Sequence, residues 1–211
     1  IEKYSTQATS ESRQRRREMD RKRTKSILNL DPPDHTRLRR IVSKSFTPSA
    51  MEKLRGRIQQ LVDTVLDAAH DRGSIELIDD LAFPVPFQVI SDLLAMPTER
   101  AEEMREWSQI ITNSLEPTAT DEELAQSDAA IEQLVPYLTS IIEDRRKNLG
   151  DDMLSSLITA EEAGDKMTTD ELMAFLVLLY IAGHETTVNL IGNSTLALLR
   201  HPEQAAIVHQ H

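Results

Sequence analysis

The chain has 211 residues, of which 39% are hydrophobic and 28% charged; this is enough apolar surface for a buried core in one or two domains and excludes whole-chain disorder. It contains no cysteine, which excludes disulfides, cysteine nucleophiles and thiolate-held metals supplied by these residues. The net charge of −11 divides unevenly, with 16 Lys/Arg against 7 Asp/Glu in residues 1–60 and 8 against 28 thereafter, so a basic head joins an acidic body.

Only 6 glycines, 4% aromatics and long Ala/Leu/Glu/Arg-rich stretches predict a mainly α-helical fold with at most short strands. Residues 1–30 are polar, with eight basic residues between Arg13 and Lys25, and read as a solvated loop or short helix. Asp31-Pro32-Pro33-Asp34 stops regular structure, and a helix near 34–45 follows, because proline costs least in a first turn. Met51, Leu54, Ile58, Leu61, Val62, Val65 and Leu66 recur at spacings of three and four, predicting an amphipathic helix that Gly73 ends. Ser74 to Ile78 suits a short strand. Helix resumes from Asp79 to Leu94, with Pro84 and Pro86 disturbing its first turns. Further helices are predicted from Glu99 to Ser114, Asp121 to Asn148 and Asp152 to Glu162.

Thr168-x-x-Glu171 is a capping box, a hydroxyl and a carboxylate serving free amides at a helix start. It opens a helix near 169–199, roughly 45 Å long, which is apolar on nearly every face from Leu172 to Ile181 and so predicted to run buried through the domain centre. His201-Pro202-Glu203 starts another helix. The longest nearly unbroken apolar run, Leu172 to Gly183, has 12 residues, short of the roughly 20 that span a bilayer. No signal-like apolar core opens the sequence, so a cytoplasmic protein without a membrane is expected.

Polar chemistry interrupts the central helix at Ala182-Gly183-His184-Glu185-Thr186-Thr187, where burial should be deepest. His184-Glu185 is not a zinc-protease pair, because Val188 stands where the second histidine is needed. Gly192-Asn193-Ser194-Thr195-Leu196 lacks the closing glycine of a serine-hydrolase elbow. No phosphate-cradling glycine loop occurs. Far upstream lies Asp31-Pro32-Pro33-Asp34-His35-Thr36-Arg37-Leu38-Arg39-Arg40. Both segments resemble those of cytochrome P450, the haem-thiolate monooxygenase family. The first is similar to the oxygen-activation motif on the family's long central helix, and the second to the start of its haem-flanking helix in soluble bacterial members. Their order and separation match too, so the resemblance extends over residues 1–211 as the central portion of that fold.

The resemblance implies haem b as cofactor, O2 and a small organic substrate, and electrons from a ferredoxin or reductase. Thr186 would be the hydroxyl that delivers protons near oxygen and Glu185 the carboxyl that feeds it. Ala182 and Gly183 would let the backbone approach the cofactor, while Thr186, by competing for the Ala182 carbonyl, would make the helix bulge where oxygen fits. Asn189 is a candidate support for that bulge, and His184 a packing or pocket-lining residue. His35 and Arg39, four apart and on one helical face, would hold the haem propionates, with the guanidinium gripping a carboxylate by its planar fork. Arg37, Arg40 and Lys44 are candidate docking residues for an acidic electron donor.

Two family features are absent, the iron-ligating cysteine and the Glu-x-x-Arg pair after the long helix. Glu52 with Arg55, Glu102 with Arg105 and Glu143 with Arg146 have that spacing but precede it. The sequence is therefore expected to be a fragment, lacking parts of the enzyme on both sides and inactive by itself. The alternative is a catalytically silent helical protein that binds a ligand or anion. Nucleic-acid binding is the least favoured use of the basic head, since no helix-turn-helix, finger or aromatic stacking pattern accompanies it.

Overall fold

The computed structural model describes residues 26–116, 118–162 and 167–208. The basic cluster from Arg13 to Lys25 lies outside them. Among the described residues every regular element is helical. A short turn at Ile27–Asn29 leads through a cis Pro32–Pro33 peptide to α1, Asp34–Ser43. Helix α2, Pro48–Arg72, stops at Gly73, whose φ of 72° is the left-handed position that glycine adopts without a steric penalty.

The strand predicted at Ser74 to Ile78 does not form. A π-helical turn, Leu77–Ala82, occupies this region instead. Asp80 explains the difference. Its carboxylate accepts from the Glu76 amide at 2.9 Å and pairs with Arg72, so a side chain takes the backbone donor that a strand partner would have needed. Helix α3, Pro84–Leu94, begins directly afterwards with proline in its first turn. Pro84 and Pro86 therefore start this helix rather than disturb it, since amides there have no partner to lose.

Helix α3 ends at Ala95 in a left-handed conformation, φ 47°. Arg145 fixes that end by donating to the Ala95 carbonyl at 2.7 Å and to Asp152 at 2.8 Å. It thereby joins α3 to α5, Asp121–Lys147, and to the start of α6, Met153–Glu162. Helix α4, Ala101–Asn113, packs against α5. A capping box of Thr120 and Glu123 opens α5, which continues through Pro136 without ending.

Helix α7, Thr169–Arg200, has 32 residues and starts at the predicted box of Thr168 and Glu171. Helix α8, Pro202–Val208, follows. The core gathers Leu172, Phe175, Leu176 and Tyr180 of α7 with Phe87 and Ile90 of α3, Leu134 and Leu138 of α5, and Leu157 of α6. Each large side chain buried in this way contributes about 1.5–3 kcal/mol.

The buried stretch predicted from Leu172 to Ile181 lies in the core, but burial of α7 is not uniform along its length. No residue beyond His184 is fully buried in it, and Leu190 and Leu199 are exposed. By length and composition α7 also passes as a helix able to cross a bilayer. Counting only the apolar run missed this, because His184 and Glu185 end the run while adding a single carboxylate, and apolar residues resume at Val188.

Candidate functional site

Exposure along the second half of α7 follows the helical period. Ala182, Thr186, Asn189, Leu190 and Asn193 are exposed, whereas His184, Thr187, Val188 and Ile191 are buried or half-buried. At about 100° per residue the first group shares one side and the second the other. A largely polar strip thus leaves the core on the side of α7 that carries Thr186.

Side chains reinforce this stretch by bonding the carbonyls four residues back. His184 Nδ1 meets the Tyr180 carbonyl at 2.6 Å. Thr186 Oγ1 donates to the Ala182 carbonyl at 2.8 Å and Thr187 Oγ1 to that of Gly183 at 3.4 Å. Asn189 donates from Nδ2 to the Glu185 carbonyl at 3.1 Å and to the Glu185 carboxylate at 3.4 Å. The predicted bulge is not formed, since α7 is continuous α-helix through these residues. A carbonyl has two lone pairs, so the Ala182 oxygen can serve the threonine without leaving the backbone ladder.

Gly183 is half-buried on the side of α7 that meets α3. A β-carbon there would lie 3.2 Å from Cδ1 of Ile90 on α3. The missing side chain lets α7 and α3 approach at this point. Ala182, by contrast, is exposed beside Thr186.

His184 is fully buried, which agrees with the packing role expected of it. Its ring meets those of Phe83, Phe87 and Tyr180 edge-on, with centroids 5.9, 6.0 and 5.4 Å away. Nε2 is buried without a partner. Burial pulls the imidazole below the ordinary histidine pKa, against the Tyr180 carbonyl and the Glu185 charge, so the ring is neutral. Sequence reasoning attached no aromatic cage to His184, because Phe83 and Phe87 lie about a hundred residues upstream. The signal available was their spacing of four, which puts both rings on one face of α3.

On α1, His35 is half-buried and Arg39 exposed. Neither side chain has a hydrogen-bond or ion-pair partner among the described residues. Two donors one turn apart and left without protein acceptors fit a pair of carboxylates. Among the described residues no hydrogen bond links them to the 182–186 turn. Arg37, between them in sequence, pairs with Glu171 at the start of α7. Glu171 also accepts from the Thr168 amide at 2.7 Å. Burial works to raise its carboxyl pKa, but the Thr168 amide and the Arg37 guanidinium outweigh it and hold the group below the usual range. Arg37, expected at a docking surface, is therefore engaged in tying α1 to α7. Arg40 and Lys44 are exposed.

The sequence matches the Cytochrome P450 family over residues 3–211. It is 46% identical over 180 residues to Cytochrome P450 107B1 of Saccharopolyspora erythraea, a match covering 85% of this chain and 43% of the relative. It is 40% identical to the Vitamin D(3) 25-hydroxylase of Pseudonocardia autotrophica, covering 88% of this chain and 44% of that one. Among solved structures, myxobacterial cytochrome P450 CYP267B1 in complex with myristic acid superposes with a TM-score of 0.84 at 39% identity, over 97% of this chain and 51% of that one. The chain thus spans about half the length of the proteins it matches or less. A family match over nearly the whole sequence, a shared fold and both motifs in place on α1 and α7 agree: the chain belongs to the cytochrome P450 family.

Proposed function

We propose that the complete protein is a haem-dependent monooxygenase, which uses O2 and electrons from a ferredoxin or reductase to hydroxylate or epoxidise a small organic molecule. Haem b, when bound, supplies the iron at which O2 is activated. With no cysteine in these 211 residues, its thiolate ligand comes from outside them. His35 and Arg39, without side-chain partners among the described residues, would hold its propionates. Ala182, small and exposed, would leave room for the flat ring beside Thr186.

The observation that carries this reading is the outward side of α7. Thr186 donates to the Ala182 carbonyl on the exposed side of α7, so it can accept a proton and release its own by rotating. Glu185, held through its carboxylate by Asn189, is one residue away and can refill it. Arg40 and Lys44 would meet an acidic electron donor; Arg37 contributes through Glu171 instead. A relative named for vitamin D3 and a neighbour crystallised with myristic acid support a lipophilic substrate. Cytoplasmic residence belongs to the same reading and rests on the bacterial relatives.

The test is a reduced carbon monoxide difference spectrum of the complete protein, which should show the band of a thiolate-ligated haem. Its absence would reject the assignment. In the active protein Thr186→Ala should divert electrons from product to peroxide, and unchanged coupling would remove Thr186 from its role.

A further inference from the structure

We propose that His184 is a positioning residue for the 182–186 turn. Donating from Nδ1 to the Tyr180 carbonyl inside the cage of Phe83, Phe87 and Tyr180, it fixes the rotation of α7 and so the outward direction of Thr186. The inference rests on the function proposed above.

The tautomer follows from the partner. A carbonyl only accepts, so the nitrogen 2.6 Å from it must carry the hydrogen. A neutral imidazole has a single N–H, which leaves Nε2 as a bare lone pair, and that atom is buried without a donor. Burying an acceptor in this way is costly. Among three aromatic rings a phenylalanine would fill the space without that cost, so packing alone does not account for histidine. What the imidazole adds is the bond to Tyr180, in the turn that runs into Gly183, one of the two helix-weakening glycines of α7.

Of the side-chain bonds between 184 and 189 in α7, the one made by His184 is the one that lies in the core. Residues two apart on a helix point about 200° away from each other. His184 therefore grips the buried side of the turn while Thr186 stands on the opposite, exposed side. A β-carbon at Gly183 would already lie 3.2 Å from Ile90 Cδ1, so α7 and α3 are closely apposed here and a loosened ring on one side becomes a turned hydroxyl on the other. A metal-ligand role has no support, since no cluster of potential ligands occurs among the described residues.

Two substitutions separate bonding from packing. His184→Phe fills the cage and loses the donor. His184→Asn leaves a gap but keeps an amide that can reach the carbonyl four residues back, as Asn189 does in this helix. In the complete protein the Phe variant should be the more stable of the two, yet the Asn variant should retain the larger fraction of electrons coupled to product. Coupling that follows stability, with Phe equal to the parent, would overturn the proposal. Should either variant fail to fold, nitrogen NMR of histidine-labelled parent protein decides independently. Protonated Nδ1 with bare Nε2 at neutral pH is required, and the opposite tautomer refutes it. The NMR result does not depend on activity, so a protein that shows no thiolate-haem band would defeat the proposed function and still leave the tautomer open to measurement.

Discussion

The two halves of α7 have similar aliphatic content and opposite surroundings. Leu172 and Leu176 are 0% and 1% exposed, whereas Leu190 and Leu199 are 65% and 76% exposed. The first half lies in a core shared with α3, α5 and α6; the second shows one side, on which Ala182, Thr186, Asn189 and Asn193 are spaced by three or four. A leucine count does not separate the two halves, but the phase of the few polar residues does. The protein fixes one half of this rod in its own core and leaves one side of the other half open.

Truncation of leucine gives the largest contrast. Leu176→Ala should cost about 2–5 kcal/mol in urea unfolding of the complete protein, while Leu199→Ala, if that surface stays open, should stay within about 0.5 kcal/mol. Equal losses would mean that the outer half is packed as tightly as the inner. Next comes the junction between the halves. Gly183→Val pushes into Ile90 and should cost about 1–3 kcal/mol. Adding Ile90→Ala should recover part of that loss, giving a double variant more stable than the two single effects predict; strict additivity would dissociate Gly183 from Ile90.

At the anchored end, Glu171→Gln weakens the capping box and removes the carboxylate that pairs with Arg37, a loss of about 1–2 kcal/mol at neutral pH. The sign with pH is fixed by the lowered folded pKa. The stabilisation is present above the ordinary value of 4.5 and disappears as pH falls through the depressed one. Parent and variant should therefore converge in acid, and a gap that is constant with pH would contradict the charge-based account. The smallest effect on stability is expected for Thr186→Ala, within about 0.5 kcal/mol, since its side chain contacts solvent rather than core.

Much of this architecture could be read from local signals. Thr168 and Glu171 start α7, Gly73 stops α2 and Pro33-Asp34 opens α1, because caps and breakers act within a few residues. What could not be read depends on distant partners. Arg37 meets Glu171 across 134 residues, Gly183 owes its bare α-carbon to Ile90, and Asp80 turns an expected strand into a π-helical turn. Periodicity showed that the 182–187 stretch breaks the apolar pattern and that His184 and Thr186 face opposite ways, but not which of them turns to the core. His35 and Arg39 were placed on one helix by spacing, yet their lack of protein partners became visible only in three dimensions.

The central claim is that the Thr186 side of α7 borders the haem. It is tested most directly by a crystal structure of the complete, haem-loaded protein. The account predicts Ala182 and Thr186 beside the porphyrin, with His35 and Arg39 within hydrogen-bond distance of its propionates. A strip covered instead by protein side chains, with His35 and Arg39 bonded elsewhere, would contradict it.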